Sequence, residues 1–265
     1  MNRLFLVLIL MLSTVLYAGK AQPYRSINNE YFKRGEKLTY KVAFHSLLTG
    51  NLTAGTATLE VTKENKQIGG RDTYHAVGYG KTTGLIEMFY KVEERFESYF
   101  DEKALIPWFF SRRTRENNYV KNENITFRHQ ERIAVSPVKV TTIPENVQDV
   151  ISAFYYARCI DITGAKPGKE YPVPFMLDDS VYQSKIRFVG RETVKTRLGK
   201  INCLIIKPMV ATGYVFEDPY PVTLWISDDG NRIPVLVESA LSVGSVRIEL
   251  TSYSGLTGPI NFKHK

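Results

Sequence analysis

Val222-Thr223-Leu224-Trp225-Ile226-Ser227, then Asp228-Asp229-Gly230-Asn231, then Ile233-Pro234-Val235-Leu236-Val237-Glu238: two strands joined by a turn. The flanks are rich in β-branched and aromatic residues, which suit a pleated, half-buried surface. The middle holds turn formers for a physical reason. Gly accepts positive φ, and Asp and Asn hydrogen-bond their own backbone. Residues 192–196 and 201–206 repeat the pattern around Arg197-Leu198-Gly199-Lys200, and residues 246–253 follow Val243-Gly244. The last third therefore reads as a meander of antiparallel strands.

Working back toward the start, Lys37-Leu38-Thr39-Tyr40-Lys41-Val42-Ala43-Phe44 alternates polar and apolar side chains, the period-two mark of a half-buried strand. Thr49-Gly50-Asn51 reads as a turn, residues 57–62 alternate again, and Gly69-Gly70 breaks the chain before residues 74–77. Residues 119–127 and 184–189 add strands, and residues 85–100 read as a short helical turn near Leu85 followed by a strand from Phe89. The expected class is all-β, mainly antiparallel, with a curved or barrel-like sheet.

One helix is expected near 146–159. Val147, Val150, Ile151, Phe154, Tyr155 and Arg158 recur at three- and four-residue steps, one face of a helix. Asn146 is the expected N-cap. The apolar stripe should pack on the sheet, with Gln148, Asp149 and Ser152 facing elsewhere. Gly164 and Pro167-Gly168 close the segment. The organisation expected is a leader over 1–21 and one β-rich domain over 22–265, or two β-rich halves split near 145–168.

The leader reading rests on Arg3, the apolar run 4–16 and the small residues of Tyr17-Ala18-Gly19-Lys20-Ala21. Charged head, apolar middle and small-residue exit are the parts of a secretory signal peptide. The run is shorter than the ~20 residues of a membrane-spanning helix. Cleavage is expected after Ala21. No Cys near the exit offers a thiol for lipid attachment, so export to the periplasm with no membrane span is the expectation. The full chain carries a net charge of +8. Loss of Arg3 and Lys20 leaves about +6, which favours anionic partners such as lipid headgroups or acidic glycans. Nucleic acid is not expected as a partner of an exported protein. The densest basic run, Arg112-Arg113-Thr114-Arg115 beside Trp108, Phe109 and Phe110, reads as the charged end of a core strand.

The chain has two cysteines, Cys159 and Cys203. An oxidising compartment permits a disulfide between them, and their apolar settings suit two buried thiols equally well.

Sequence signs of catalysis are weak. Gly78-Tyr79-Gly80-Lys81-Thr82-Thr83 resembles a phosphate-binding loop, but His75 stands where the motif requires Gly. It reads as a glycine-rich turn after a strand. His45, His75, His129 and His264 lack metal-ligand spacing, and no Gly-x-Ser-x-Gly elbow is present. Glu93-Glu94 should point to opposite faces of a strand, and Asp178-Asp179 and Asp228-Asp229 read as turns. No catalytic, cofactor or metal residue is assigned. Sixteen Tyr, fourteen Phe and two Trp can fill a thick core or line a groove for acyl chains or sugars.

A resemblance now gathers these pieces. Phe32, Gly35-Glu36, Leu38 and Tyr40 open the domain, Gly50 and Ala54-Gly55 mark the first hairpin, and residues 90–101 lead to Leu105-x-Pro107. The helix segment is Val147-Gln148-Asp149-Val150-Ile151-Ser152-Ala153-Phe154-Tyr155-Tyr156-Ala157-Arg158, and Leu224-Trp225-Ile226-Ser227-Asp228-Asp229 precedes Arg232-Ile233-Pro234-Val235. Over about 31–253 the chain resembles the exported bacterial family catalogued as domain of unknown function 3108. The resemblance implies a Gram-negative envelope protein with a signal peptide. It also implies a curved or barrel-like antiparallel sheet resembling that of a capsule-operon lipoprotein. It assigns no catalytic residue. Arg158, Asp149, Asp229 and Arg232 match its pattern and suit caps, turns and buried ion pairs.

The expected function is non-enzymatic binding of an envelope component: lipid, glycan or partner protein. A hydrolase of envelope polymers is the alternative, and requires Asp149, Glu93, Asp178 or Asp229 to converge with a His or Arg in one cleft. A structural or assembly role, with a partner on a sheet edge, is the third reading.

Overall fold

The computed structural model describes residues 24–46, 50–210, 218–241 and 244–263. The expected leader, Thr49, Val243 and His264 lie outside them. The strands, in chain order, are β1 (Lys37–Ser46), β2 (Gly50–Val61), β3 (Lys66–Ile68), β4 (Arg71–Thr82), β5 (Val92–Asp101), β6 (Pro107–Glu116), β7 (Tyr119–Arg128), β8 (Ile133–Val135) and β9 (Val140–Thr142). There follow β10 (Glu170–Pro172), β11 (Phe175–Leu177), β12 (Ser180–Tyr182), β13 (Lys185–Thr196), β14 (Gly199–Pro208), β15 (Val222–Ser227), β16 (Pro234–Ala240) and β17 (Ser245–Ser254). Helix α1 (Gly84–Phe89) joins β4 to β5, and α2 (Val150–Arg158) falls between β9 and β10.

One antiparallel sheet runs β10-β13-β14-β15-β16-β17-β1-β2-β4-β5-β6-β7-β8-β9, with β3 attached to β4 and β11 paired with β12 alone. β1 lies beside β17, Lys41 opposite Glu249, so the segments before and after α2 share one sheet. The sheet does not close: its edges are the three-residue strands β9 and β10.

The sheet curls around α2. On one side Ile151 and Tyr155 join Ala76, Phe100, Phe110, Ile125 and Phe127 of β4 to β7 in one apolar cluster. On the other, Ala153 and Ala157 pack against Ile186, Phe188, Leu204 and Ile226 of β13 to β15. A third cluster, with Leu38, Cys203, Val235 and Leu250, seals β1, β14, β16 and β17. The period-two pattern explains this division. Phe110 is buried and Arg113 exposed on β6, Ile125 buried and Thr126 exposed on β7.

Three local expectations are corrected. Residues 78–82 are not a turn but the end of β4. Gly78 is there for clearance, since a Cβ on it would stand 3.1 Å from Ile151 Cδ1 of α2. The N-cap of α2 is Asp149, not Asn146, which takes φ 57° in the approach to the helix. Gln148, Asp149 and Ser152, expected to face away, are all fully buried.

Candidate functional site

The sheet needs α2 held in a fixed position, and polar side chains do this. Asp149 Oδ1 accepts from the backbone N–H of Ile151 (2.8 Å) and Ser152 (2.7 Å), while Ser152 Oγ accepts from the N–H of Asp149 (2.9 Å). This reciprocal cap satisfies donors that the first turn leaves open. Ser98 Oγ of β5 donates to Asp149 Oδ2 at 2.6 Å, which ties the cap to the sheet. Burial pushes the Asp149 carboxyl up to about 6, against the hydrogen bonds from Ser98 and the helix N–H groups. Gln148 Nε2 donates to the Leu105 and Asn146 carbonyls at 3.0 and 3.1 Å.

The far end of α2 is held by Arg158. Its Nη1 and Nη2 donate to Glu36 Oε1 (2.6 Å) and Oε2 (2.8 Å), and Nη2 also reaches the Tyr31 and Asn231 carbonyls. Arg232 Nη1 donates to the carbonyls of Arg158 (3.0 Å) and Ile160 (2.6 Å), a cation at a helix C-terminus. Asp229 Oδ1 accepts from Ser227 Oγ and from the N–H of Asn231, which shapes the turn that carries Arg232. The four residues singled out by the resemblance thus hold α2 and the 228–231 turn in place.

Beside α2 lies a cavity of about 550 Å³. Val150, Ala153, Phe154 and Ala157 of the helix form one wall, and Ile186, Ile206, Leu224 and Ile226 of β13 to β15 the facing one. Phe175, Leu177 and Tyr182 of the β11–β12 hairpin close the side, with the Phe175 and Tyr182 rings stacked 5.2 Å apart. The space has a sequence cause. Ala153 and Ala157 lie one turn apart on one helix face, and their methyls are too short to fill the gap to the sheet. The volume falls within the ~300–1,000 Å³ of small-ligand sites.

The lining is apolar almost throughout. Ser184 Oγ already donates to the Met209 carbonyl at 2.6 Å, and the Arg158 guanidinium is committed to Glu36. Asp178, at the hairpin tip, and the Tyr182 hydroxyl are the remaining polar groups of the wall. Asp178 Oδ1 accepts from Arg112 Nη1 of β6 (3.2 Å) and from Lys121 Nζ of β7. Arg112 Nη2 also stands 3.5 Å from Glu94 Oε1. Burial, then the nearby Asp178 charge, raises the Glu123 carboxyl beside them. The rim is therefore mixed in charge, with both cations paired.

The other sequence candidates do not meet here. Glu93 accepts from Tyr79 Oη at 2.9 Å on the opposite face from Glu94. Asp149 is sealed under the helix, and Asp229 lies in its turn. Of the four acids the hydrolase reading names, Asp178 meets an Arg at this cavity and the other three lie elsewhere. Among the described residues no group of three or more His, Cys, Asp or Glu is arranged to hold a metal. His75 sits between Glu64 (2.8 Å) and Glu97 (2.9 Å) and stacks on Tyr99.

Cys159 and Cys203 are free thiols, so the disulfide that the sequence permits is absent from this structure. Their positions give the reason. Cys159 caps the end of α2 with its Sγ 3.7 Å from Asn29 Oδ1, whereas Cys203 belongs to the β1–β14–β16–β17 cluster. Burial pushes both thiols up to about 12.

No curated protein matches the chain in sequence. Among solved structures, the chain is similar to a β-barrel-like protein of domain of unknown function DUF1849 from Brucella abortus. The identity is 11%, 88% of this chain and 99% of that one are covered, and the TM-score is 0.54. A protein from Bacteroides fragilis with a YmcC-like fold is 11% identical over 86% of this chain and 99% of that one, with a TM-score of 0.40. The first likeness supports the barrel-like antiparallel fold. With the model for the protein family of unknown function DUF3108 matching residues 37–251, the chain belongs to that family.

Proposed function

We propose that this protein is an exported, non-enzymatic component of a Gram-negative cell envelope that holds the acyl chain of an amphipathic lipid in the cavity beside α2. The observation that carries the reading is the lining. A cavity of about 550 Å³ is walled mainly by Ala, Val, Leu, Ile, Phe and Met side chains, and Ser184, Arg158 and Asp178 are already engaged by other protein groups. Such a surface favours an apolar guest, roughly 0.8 kcal/mol for each methylene taken from water. A headgroup would rest at the rim, where an anionic one competes with Asp178 for Arg112 and Lys121. The leader pattern over 1–21 supports export.

The test is displacement of a fluorescent fatty acid from delipidated protein. Saturable binding, competed by palmitate and abolished by Ala157→Phe in a folded variant, supports the reading. Binding that Ala157→Phe leaves unchanged, or none at all, overturns it.

A further inference from the structure

The end of the sheet that carries α1 and the β6–β7 turn is apolar where it should be polar. Nine large hydrophobic residues are exposed among the described residues, and six of them lie here: Leu85, Met88, Phe89, Tyr90, Tyr119 and Val120. Met88 is 78% and Phe89 83% exposed, and α1 fully buries none of its side chains. Ile86 is half-buried against the sheet while Leu85, Met88 and Phe89 stay exposed, so most of the apolar content of α1 needs a cause other than packing. The pieces form one surface. Tyr90 Oη donates to Glu116 Oε2 at 3.1 Å, and the Lys91 and Asn117 backbones are linked by Asn117 N–H to the Lys91 carbonyl at 2.8 Å.

Charge around this patch is mixed, and what sets it apart is that its cations are left unpaired. Lys91 follows Tyr90, and Lys81 and Arg115 flank Glu93 across β4, β5 and β6. Arg113 stands next along β6, its guanidinium bonded to the Glu123 carbonyl and Asn124. Glu87, Glu93, Glu94 and Glu116 are the acids of this end; Glu116 is engaged by Tyr90 and Glu94 by Arg112 and Thr114. Lys81, Lys91, Arg113 and Arg115 form no ion pair among the described residues. Protruding Phe, Met and Leu beside unpaired Lys and Arg match the chemistry of an anionic bilayer surface, apolar below its charged headgroups.

We infer that this end is a membrane-docking surface, with Met88 and Phe89 entering the interface of an anionic lipid leaflet and Lys81, Lys91 and Arg115 meeting its headgroups. The inference stands on the exposed patch and not on the contents of the cavity. It also gives the cavity an address. Tyr119 is two residues along β7 from Lys121, which holds Asp178 at the cavity rim. Two residues of strand span about 7 Å, so docking brings the rim close to the bilayer surface.

The test is flotation of the purified protein with phosphatidylcholine vesicles, with and without phosphatidylglycerol. Wild type should float more with phosphatidylglycerol present. Met88→Ser/Phe89→Ser should lower partitioning by about tenfold or more, and Lys91→Glu/Arg115→Glu should remove the preference for the anionic lipid. Phe89→Trp, at an exposed position, should add emission that shifts to the blue and is quenched by brominated lipid. Absence of flotation, equal flotation of the serine variant, or emission from the introduced tryptophan that is blind to vesicles would each overturn the inference. So would a dimer in solution that the serine variant dissolves, which would make a second copy the occupant.

Discussion

Glu36 and Arg158, 122 residues apart in sequence, form a two-pronged ion pair in which neither side chain is more than 1% exposed. It binds the start of β1 to the end of α2, so the helix is positioned by both halves of the sheet. Such a pair is stable only while complete, because either partner alone is a buried uncompensated charge.

Glu36→Gln and Arg158→Met, made singly, should therefore each destabilise the protein by about 3–5 kcal/mol. The double replacement should cost less than the two effects added. Urea denaturation of the three variants measures this, and additive losses would show that the two residues act separately. Arg158→Lys should also be costly, since an ammonium cannot reproduce the planar fork that reaches Glu36, Tyr31 and Asn231 together.

Asp149 predicts a pH dependence. Its folded value of about 6 exceeds the ordinary carboxylate value near ~3.9. The folded state thus binds the proton more tightly than the unfolded one. The stability from this group is complete below about pH 4, falls as pH rises toward about 6, and is level above that. Asp149→Asn keeps a capping oxygen and removes the titration. Subtracting its denaturation curve from that of wild type should reveal a relative loss in wild type of up to roughly 3 kcal/mol between about pH 4 and about pH 7. A difference independent of pH would contradict the assignment.

The cavity predicts a gain in stability. Ala157→Leu places a larger apolar side chain in empty space and should raise the unfolding free energy of delipidated protein by about 0.5–2 kcal/mol while lowering acyl-chain affinity. Thermal melts paired with ligand titration check both signs. Asp178→Asn should act in the other direction on binding. It weakens the hold on Arg112 and Lys121 and should raise affinity for an anionic amphiphile several-fold over that for a neutral one of equal chain length.

The thiols predict slow chemistry. Raised to about 12 by burial, Cys159 and Cys203 present little thiolate near neutral pH. Iodoacetamide should label neither in native protein and both in urea without reductant. A single label, or none, in urea would reveal an oxidised thiol.

Much of this fold is legible along the chain because strand alternation and turn chemistry are local. Lys37 to Phe44 and Val222 to Glu238 declare their strands, and Val150, Ile151, Phe154 and Tyr155 declare α2. What fails locally is what depends on partners distant in sequence. Gln148, Asp149 and Ser152 look like a solvent face, yet Leu105 and Ser98 offer buried hydrogen bonds to Gln148 and Asp149. Gly78 and Gly80 look like a loop because the clearance that Gly78 leaves for Ile151 becomes visible only when the helix docks. The cavity is hardest to read, since Ala153 and Ala157 are ordinary helix formers until β13 to β15 are placed opposite. The exposed side chains of α1 were legible as apolar residues, but nothing in their spacing showed that they would remain uncovered.

The central claim is that the space beside α2 holds an acyl chain. Native mass spectrometry of protein purified from its envelope without harsh detergent tests it most directly. The account predicts a mass increment equal to one lipid, lost on delipidation, restored by adding lipid extract and absent from folded Ala157→Phe. A single apo mass before and after exposure to lipid extract would contradict it.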